Sequence, residues 1–207
     1  KFFYGSDWKI LRKNKKIYYK DKNNKILIKT NKIHSDGILD NLGIAIKVAR
    51  DLNISKRVIQ KTIPKINFEG RLQYINKGKL RKFLYPKEKL LLDGCHSSTS
   101  AKNLANYLKT LNGKIYGIWG MQKNKNPENF IKYFKNIFSK IRVVKIPNEN
   151  NSCNTKQLLE IAINNRIACK KSTSLKKSLI DLSDTKPKTI VVFGSFYLVG
   201  KFLNLNY

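Results

Sequence analysis

From Pro64 onward the chain alternates short apolar runs with longer amphipathic stretches, and this alternation limits the possible folds more than any other feature. Apolar runs at Leu72–Ile75, Lys89–Leu92, Lys114–Trp119, Arg142–Ile146 and Thr189–Phe193 read as strands. Helical periodicity lies between them. It runs over about Ser98–Leu111 behind Ser/Thr caps, over Pro127–Phe138 with proline in its first turn, over Thr155–Asn164 and Ser174–Leu182, and again after Ser195. Strand and helix in regular succession predict an α/β domain: a Rossmann-like, mainly parallel sheet with flanking helices. Ligands of such sheets sit beyond the carboxyl ends of the strands. That rule selects three loops: Asp93-Gly-Cys-His-Ser-Ser98, Gly120-Met-Gln-Lys-Asn124 and Gly194-Ser-Phe196.

The residues before Pro64 follow a different pattern. Lys16–Lys20 and Ile26–Thr30 flank Asp21–Lys25, whose Asn pair suits a tight turn, and predict a β-hairpin. A helix from Asp40 carries Leu42, Ile46 and Ala49 on one face and ends before Asn53. A shorter helix follows Ser55, a cap, to about Thr62. A hairpin and two helices make a poor self-contained domain. The expected organisation is therefore a remainder of a larger domain over residues 1–65, a linker near Pro64–Phe68, and a complete domain over 66–207.

Charge is the loudest compositional feature and the least specific. The formal net charge is +30, yet the chain holds 36 Lys against 7 Arg, with 24 Ile and 23 Asn, and the lysines run through nearly every segment. Dedicated nucleic-acid surfaces favour arginine for bidentate contacts, so most of this charge reads as solvated surface produced by A/T-rich codon drift. An apolar content of 41% excludes a disordered basic tail. Cys95, Cys153 and Cys169 are odd in number and widely spaced, which supports neither a disulfide framework nor a zinc site and suits a reducing cytoplasm. The longest apolar stretch, Thr189–Leu203, is interrupted and too short to span a bilayer, so no membrane segment is expected. The sequence opens on Lys1 without a Met and is expected to be a piece of a longer protein.

Two segments carry candidate chemistry. Asp93-Gly94-Cys95-His96 puts a carboxylate and one of only two histidines after a strand and before a helix N-terminus, a place suited to phosphate or ribose contacts. The alternative is an Asp that caps the loop and a His at the surface. Glu69-Gly70-Arg71 lets an arginine behind a glycine project a fixed fork towards phosphate, or form a structural salt bridge. Gly194–Phe202 is no Walker loop: five residues separate its first glycine from Gly200, and Phe202 stands where Ser or Thr would ligate Mg²⁺. His34 has no ligand partner at useful spacing and reads as a loop residue. Tyr74, Tyr85, Tyr107, Trp119, Tyr133 and Phe134 follow helical or strand spacing and read mostly as core rather than as a stacking platform.

Taken together, these segments resemble the C-terminal part of the folylpolyglutamate synthase and dihydrofolate synthase family, among the Mur-ligase-like ATP-dependent amide ligases. Asp40-Asn-Leu-Gly-Ile-Ala-Ile46 resembles the family's Asn-Ala helix start, and Glu69-Gly-Arg-Leu-Gln73 its Pro-Gly-Arg-x-Gln segment. Leu92-Asp-Gly-Cys-His96 resembles Leu-Asp-Gly-Ala-His-Asn-Pro, with Ser97-Ser98 in place of Asn-Pro. Gly117–Met121 with Lys123–Pro127 resembles the Gly-Met and Lys-Asp loop, and Val191–Gly200 the closing strand, loop and helix.

The resemblance implies an enzyme in which ATP phosphorylates a carboxylate of dihydropteroate or folate and the amine of L-glutamate attacks the acyl phosphate. Residues 1–65 would be the remainder of a Mur-ligase-type central ATPase domain and 66–207 the C-terminal domain. The Walker loop and Mg²⁺ ligands would lie in an N-terminal ATPase half outside this sequence, so this chain alone is expected to be inactive. By the same resemblance Asn41 would contact adenine, Arg71 the phosphates and Asp93 the ribose; His96 would face the glutamate or the reacting centre, and Ser195 the glutamate. A cytoplasmic monomer is expected. The alternatives are an inactive remnant or a basic nucleic-acid-binding module, the latter marked by a steep salt dependence of binding.

Overall fold

The computed structural model describes residues 3–14, 16–29 and 36–207. The chain forms two compact units, Lys1–Asn67 and Phe68–Tyr207. His34 and Thr30 lie outside the described residues.

In the first unit, β1 (Trp8–Lys13), β2 (Lys16–Asp21) and β3 (Lys25–Ile28) form an antiparallel sheet in that order. The expected hairpin is β2 and β3. Its turn is organised by Asp21, whose Oδ1 accepts from the backbone N–H groups of Asn23 at 2.9 Å and Asn24 at 2.6 Å, so the aspartate rather than the Asn pair fixes the reversal. The third strand escapes the sequence because cations at Lys9, Arg12 and Lys13 hide its alternation, leaving Trp8 as its one fully buried side chain. Helix α1 (Asp36–Asp51) lays Leu39, Leu42 and Ile46 on the sheet, one side chain per turn, against Trp8, Tyr19 and Ile26. Gly43 is required there, since a Cβ would stand 2.3 Å from the Trp8 ring. Helix α2 (Lys56–Thr62) starts on Ser55, whose side chain accepts from the Val58 N–H.

The second unit holds β4 (Gln73–Tyr74), β5 (Glu88–Asp93), β6 (Lys114–Trp119), β7 (Lys140–Val143), β8 (Cys169–Lys171) and β9 (Lys188–Phe193). They form one sheet of order β4-β5-β9-β6-β7-β8, parallel except for β4. The helices are α3 (Ser98–Leu108), α4 (Pro127–Ile131), α5 (Thr155–Asn164), α6 (Leu175–Leu182) and α7 (Phe196–Asn206). The expected α/β sheet is what the chain forms.

Strand alternation sorts the core into two layers. Leu90, Leu92, Tyr116, Ile118, Ile190 and Val192 face α6 and α7, meeting Leu175, Leu179, Leu198 and Phe202. On the other face Trp119, Phe193, Phe130, Phe134 and Phe138 stack on one another at centroid distances of 4.8 to 6.4 Å. Gly117 belongs to that face, where a Cβ would press on Phe193 at 3.0 Å.

Two differences from the sequence reading concern the far side of the sheet. The helix expected over Pro127–Phe138 stops at Ile131, continues as a single tight turn to Phe134, and is ended by Asn136 at φ 63°. The added edge strand β8 is short, and Lys170 and Lys171 on it are exposed, so it has no apolar signature.

Two polar devices tie the unit together away from its ligand end. At the amino ends of the central strands Lys188 pairs with Glu88 at 3.1 Å, with side chains 1% and 0% exposed, and also with Asp184. Glu88 accepts in addition from Tyr85 N at 2.8 Å, Asp184 N at 3.0 Å and Ser183 Oγ at 2.5 Å. Near the end of α7, buried Asn206 accepts from Leu80 N and Arg81 N at 3.1 and 3.2 Å and donates to Lys77 O at 3.0 Å, pinning the segment before β5. Among the described residues no helix is long and apolar enough to cross a membrane.

Candidate functional site

The carboxyl ends of β5 and β9 lie side by side, Asp93 opposite Phe193, so the loops that follow them are neighbours. The antiparallel strand β4 brings a third segment to the same place, with Gln73 opposite Leu92. In this way residues more than a hundred positions apart in sequence converge.

Asp93 is the hub. Its Oδ2 accepts from Leu72 N at 3.0 Å, its Oδ1 accepts from Cys95 N at 2.9 Å, and Arg71 Nη1 lies 3.9 Å from Oδ1. Burial pushes the carboxyl above the ordinary carboxylate range, while the Leu72 N–H, Arg71 and the Cys95 N–H oppose that shift. The Leu72 bond has a second purpose. Leu72 sits at φ 45°, a conformation unfavourable for a leucine, and the carboxylate holds it there. With its side chain 7% exposed, Asp93 offers a ligand little surface of its own and acts first by fixing the loops around it.

Arg71 is held from two sides. Besides Asp93, its guanidinium lies over the Phe196 ring at 4.4 Å from the centroid. Its ion pair is thus with Asp93 rather than with adjacent Glu69. His96 places Nδ1 2.9 Å from the Gly94 carbonyl. A carbonyl only accepts, so Nδ1 carries the hydrogen and, in the neutral ring, Nε2 keeps a lone pair. The loop then enters α3 through Ser97, whose side chain and that of Ser100 form a reciprocal capping box. Asn-Pro at these positions would place a good cap before a proline at the first helical residue, so Ser97-Ser98 preserves the helix start by other means.

Ser195 caps α7, accepting from Tyr197 N at 3.1 Å, and is 2% exposed. The preceding Gly194 sits at φ +106°, where a Cβ would lie 2.7 Å from the Gly120 carbonyl, so only glycine fits. A cleft of about 290 Å³ opens in front of these loops, lined by His96, Gln122, Asn124, Lys125, Ser195, Phe196 and Tyr197. All three loops selected by the strand-end rule thus meet in one place. The side chains of Gln122 and Asn124 were not singled out from sequence, although the loop that carries them was, and Lys125 directly follows that loop. Asn41 belongs to the first unit, where it is exposed on α1. Cys95 is fully buried beneath the loop, and burial, reinforced by Asp93, pushes its thiol up, leaving it protonated and inert. Among the described residues no group of three or more His, Cys, Asp or Glu could hold a metal ion.

Of the aromatics read as core, Trp119 and Phe134 are buried and Tyr74 and Tyr107 share a hydroxyl contact of 3.0 Å, whereas Tyr85 and Tyr133 are exposed.

An α/β sheet with one antiparallel edge, whose cation, carboxylate and imidazole gather at the carboxyl ends of neighbouring strands, defines a Rossmann-like domain with a ligand end suited to anions. Residues 77–205 match the family of the dihydrofolate synthetase C-terminal domain, and the chain belongs to that family. Solved structures agree on the fold. FolC of E. coli, in complex with DHPP and ADP, is 17% identical over 97% of this chain and 46% of its own, with a TM-score of 0.77. Folylpolyglutamate synthase of Mycobacterium tuberculosis, complexed with ADP and AMPPCP, is 16% identical over 98% and 48%, with a TM-score of 0.82. That of Thermotoga maritima is 19% identical over 98% and 48%, with a TM-score of 0.75. The chain therefore spans about half the length of these structures. Comparison with curated proteins gives no match.

Proposed function

We propose that this chain is the C-terminal part of an ATP-dependent amide ligase that joins L-glutamate to dihydropteroate or a folate through an acyl phosphate. In this reading residues 1–65 complete a Mur-ligase-type ATPase domain whose P-loop half lies outside the sequence, and residues 66–207 form the domain that closes on the nucleotide. The coverage of about half of each solved relative supports this division. ATP supplies the phosphoryl group, and Mg²⁺, held by the other half, would neutralise its charge.

The observation that carries the proposal is the convergence of Arg71, Asp93 and His96 on one loop cluster, with Arg71 held between Asp93 and the Phe196 ring. Arg71 would meet the phosphates, Asp93 the ribose and Asn41 the adenine. The cleft lined by His96, Lys125, Gln122, Asn124 and Ser195 suits an amino acid with two carboxylates: Lys125 supplies charge, the amides supply donors, and His96 Nε2 can take a proton from the attacking amine.

The test joins this chain to an ATPase half and measures ADP release that depends on both dihydropteroate or folate and L-glutamate. The unjoined chain should turn over no ATP. Arg71→Ala and Asp93→Ala should each lower the joined activity about 10-fold or more, the effect of losing one charge-assisted bond. Unchanged rates in both variants would sink the assignment.

A further inference from the structure

Phe196 is the first residue of α7 and is 40% exposed, poor placement for a side chain whose purpose is the core. What it touches is instead the candidate site. The Arg71 guanidinium lies on its ring at 4.4 Å, and the His96 ring lies 5.7 Å away, tilted by 60°. Beneath it the chain has been stripped of side chains: a Cβ at Gly94 would stand 2.4 Å from the ring and one at Gly70 3.4 Å. Gly94 and Gly70 belong to the two segments that carry His96 and Arg71, and they are bonded to each other, Gly94 N donating to Gly70 O at 2.7 Å.

The ion pair of Arg71 does not explain its placement. At 3.9 Å from one oxygen of Asp93 it is long and single-ended, unlike the bidentate pairs that fix a guanidinium plane. A planar cation resting on a ring face is restrained in the remaining direction, and its N–H donors, which lie in its own plane, are left free along its edge. We infer that Phe196 is a positioning residue for Arg71: its ring, seated on the bare backbone of Gly70 and Gly94, holds the guanidinium in the orientation that receives an anionic phosphate. The inference rests on the proposed nucleotide role of Arg71 for its functional consequence and on contacts within one unit for its geometry.

The two parts separate experimentally. In the 207-residue chain, NMR of the Arg71 side chain reads the stack directly through ring-current displacement of its Cδ and Nε protons. That displacement should vanish in Phe196→Leu, persist in Phe196→Tyr, and shrink in Gly94→Ala, which keeps the ring but pushes it off its seat. Titration with ADP should then show about 2- to 5-fold weaker binding for Phe196→Leu, the range of an exposed cation–π contact, with recovery in Phe196→Tyr. In an Arg71→Ala background the same Phe196→Leu change should have no further effect. Arg71 resonances that are identical in wild type and Phe196→Leu would overturn the positioning role, as would equal losses with and without Arg71. If Arg71→Ala alone leaves ADP affinity unchanged, the proposed nucleotide role fails, while the resonances still decide the stack.

Discussion

Replacing Lys188 by methionine removes the cation from the most deeply buried ion pair of the second unit while keeping the volume of its stem. Breaking a buried pair from one side typically costs about 3–5 kcal/mol, because the partner charge is left in a poor solvent. Here Glu88 would retain three donors, Tyr85 N, Asp184 N and Ser183 Oγ, and these keep its carboxylate partly compensated. The expected loss is therefore near the lower limit, about 3 kcal/mol. With a urea dependence of about 1.5 kcal/mol per molar, the unfolding midpoint should fall by about 2 M. Trp119 is buried in this unit and the other tryptophan, Trp8, belongs to the first, so fluorescence in a Trp8→Phe background isolates the relevant transition. Because the side chains are 1% and 0% exposed, the loss should change little with added salt. Lys188's own pKa is raised: burial lowers it, but hydrogen bonds to Asp184 and Glu88 more than offset this, so its contribution is present through the ordinary lysine range and is lost only as pH rises beyond it. A midpoint shift under about 0.5 M would refute the reasoning and mean that desolvation cancels the pair's attraction.

Two further outcomes follow from buried polar groups. Asn206→Ala deletes three hydrogen bonds between the last helix and the segment before β5 and should cost about 2–3 kcal/mol in the same urea assay, with protection lost first at the Leu80 and Arg81 amides. Asp93→Asn tests the raised carboxyl pKa. A raised folded-state value gives a contribution that is complete below the unfolded pKa and fades as pH rises through the folded one, so the stability advantage of wild type over Asp93→Asn should shrink with rising pH across that interval. An advantage that grows with pH would mean that Arg71 and the two N–H donors outweigh burial.

The parts of the fold legible in sequence were those fixed by local rules. Thr155–Asn164 and Lys114–Trp119 have the ends that capping and apolar runs predict, and Ser55, Ser174 and Ser195 cap the helices that follow them. What stayed hidden depends on partners distant in sequence. Strand β1 exists because β2 has a free edge, and β8 because β7 does; neither needs an apolar run of its own. At the site, the strand-end rule found the three loops, but the Asp93 bond to Leu72 and the Phe196 ring over Gly94 are products of strand order, which a single sequence does not state. A Gly at 94 and a Gly at 70 were visible as loop residues; that one ring sits on both was not.

Strand β8 closes one side of the sheet with its outer backbone N–H and C=O groups unpaired among the described residues, a surface on which another extended chain could dock and propagate. Two of its three side chains are exposed lysines, Lys170 and Lys171. Stacking a second copy there would bring four ammonium groups together, an electrostatic deterrent to fibril-like growth. The lysine excess that says so little about ligands thus performs one definite service: at this border it keeps a parallel sheet from recruiting its own kind.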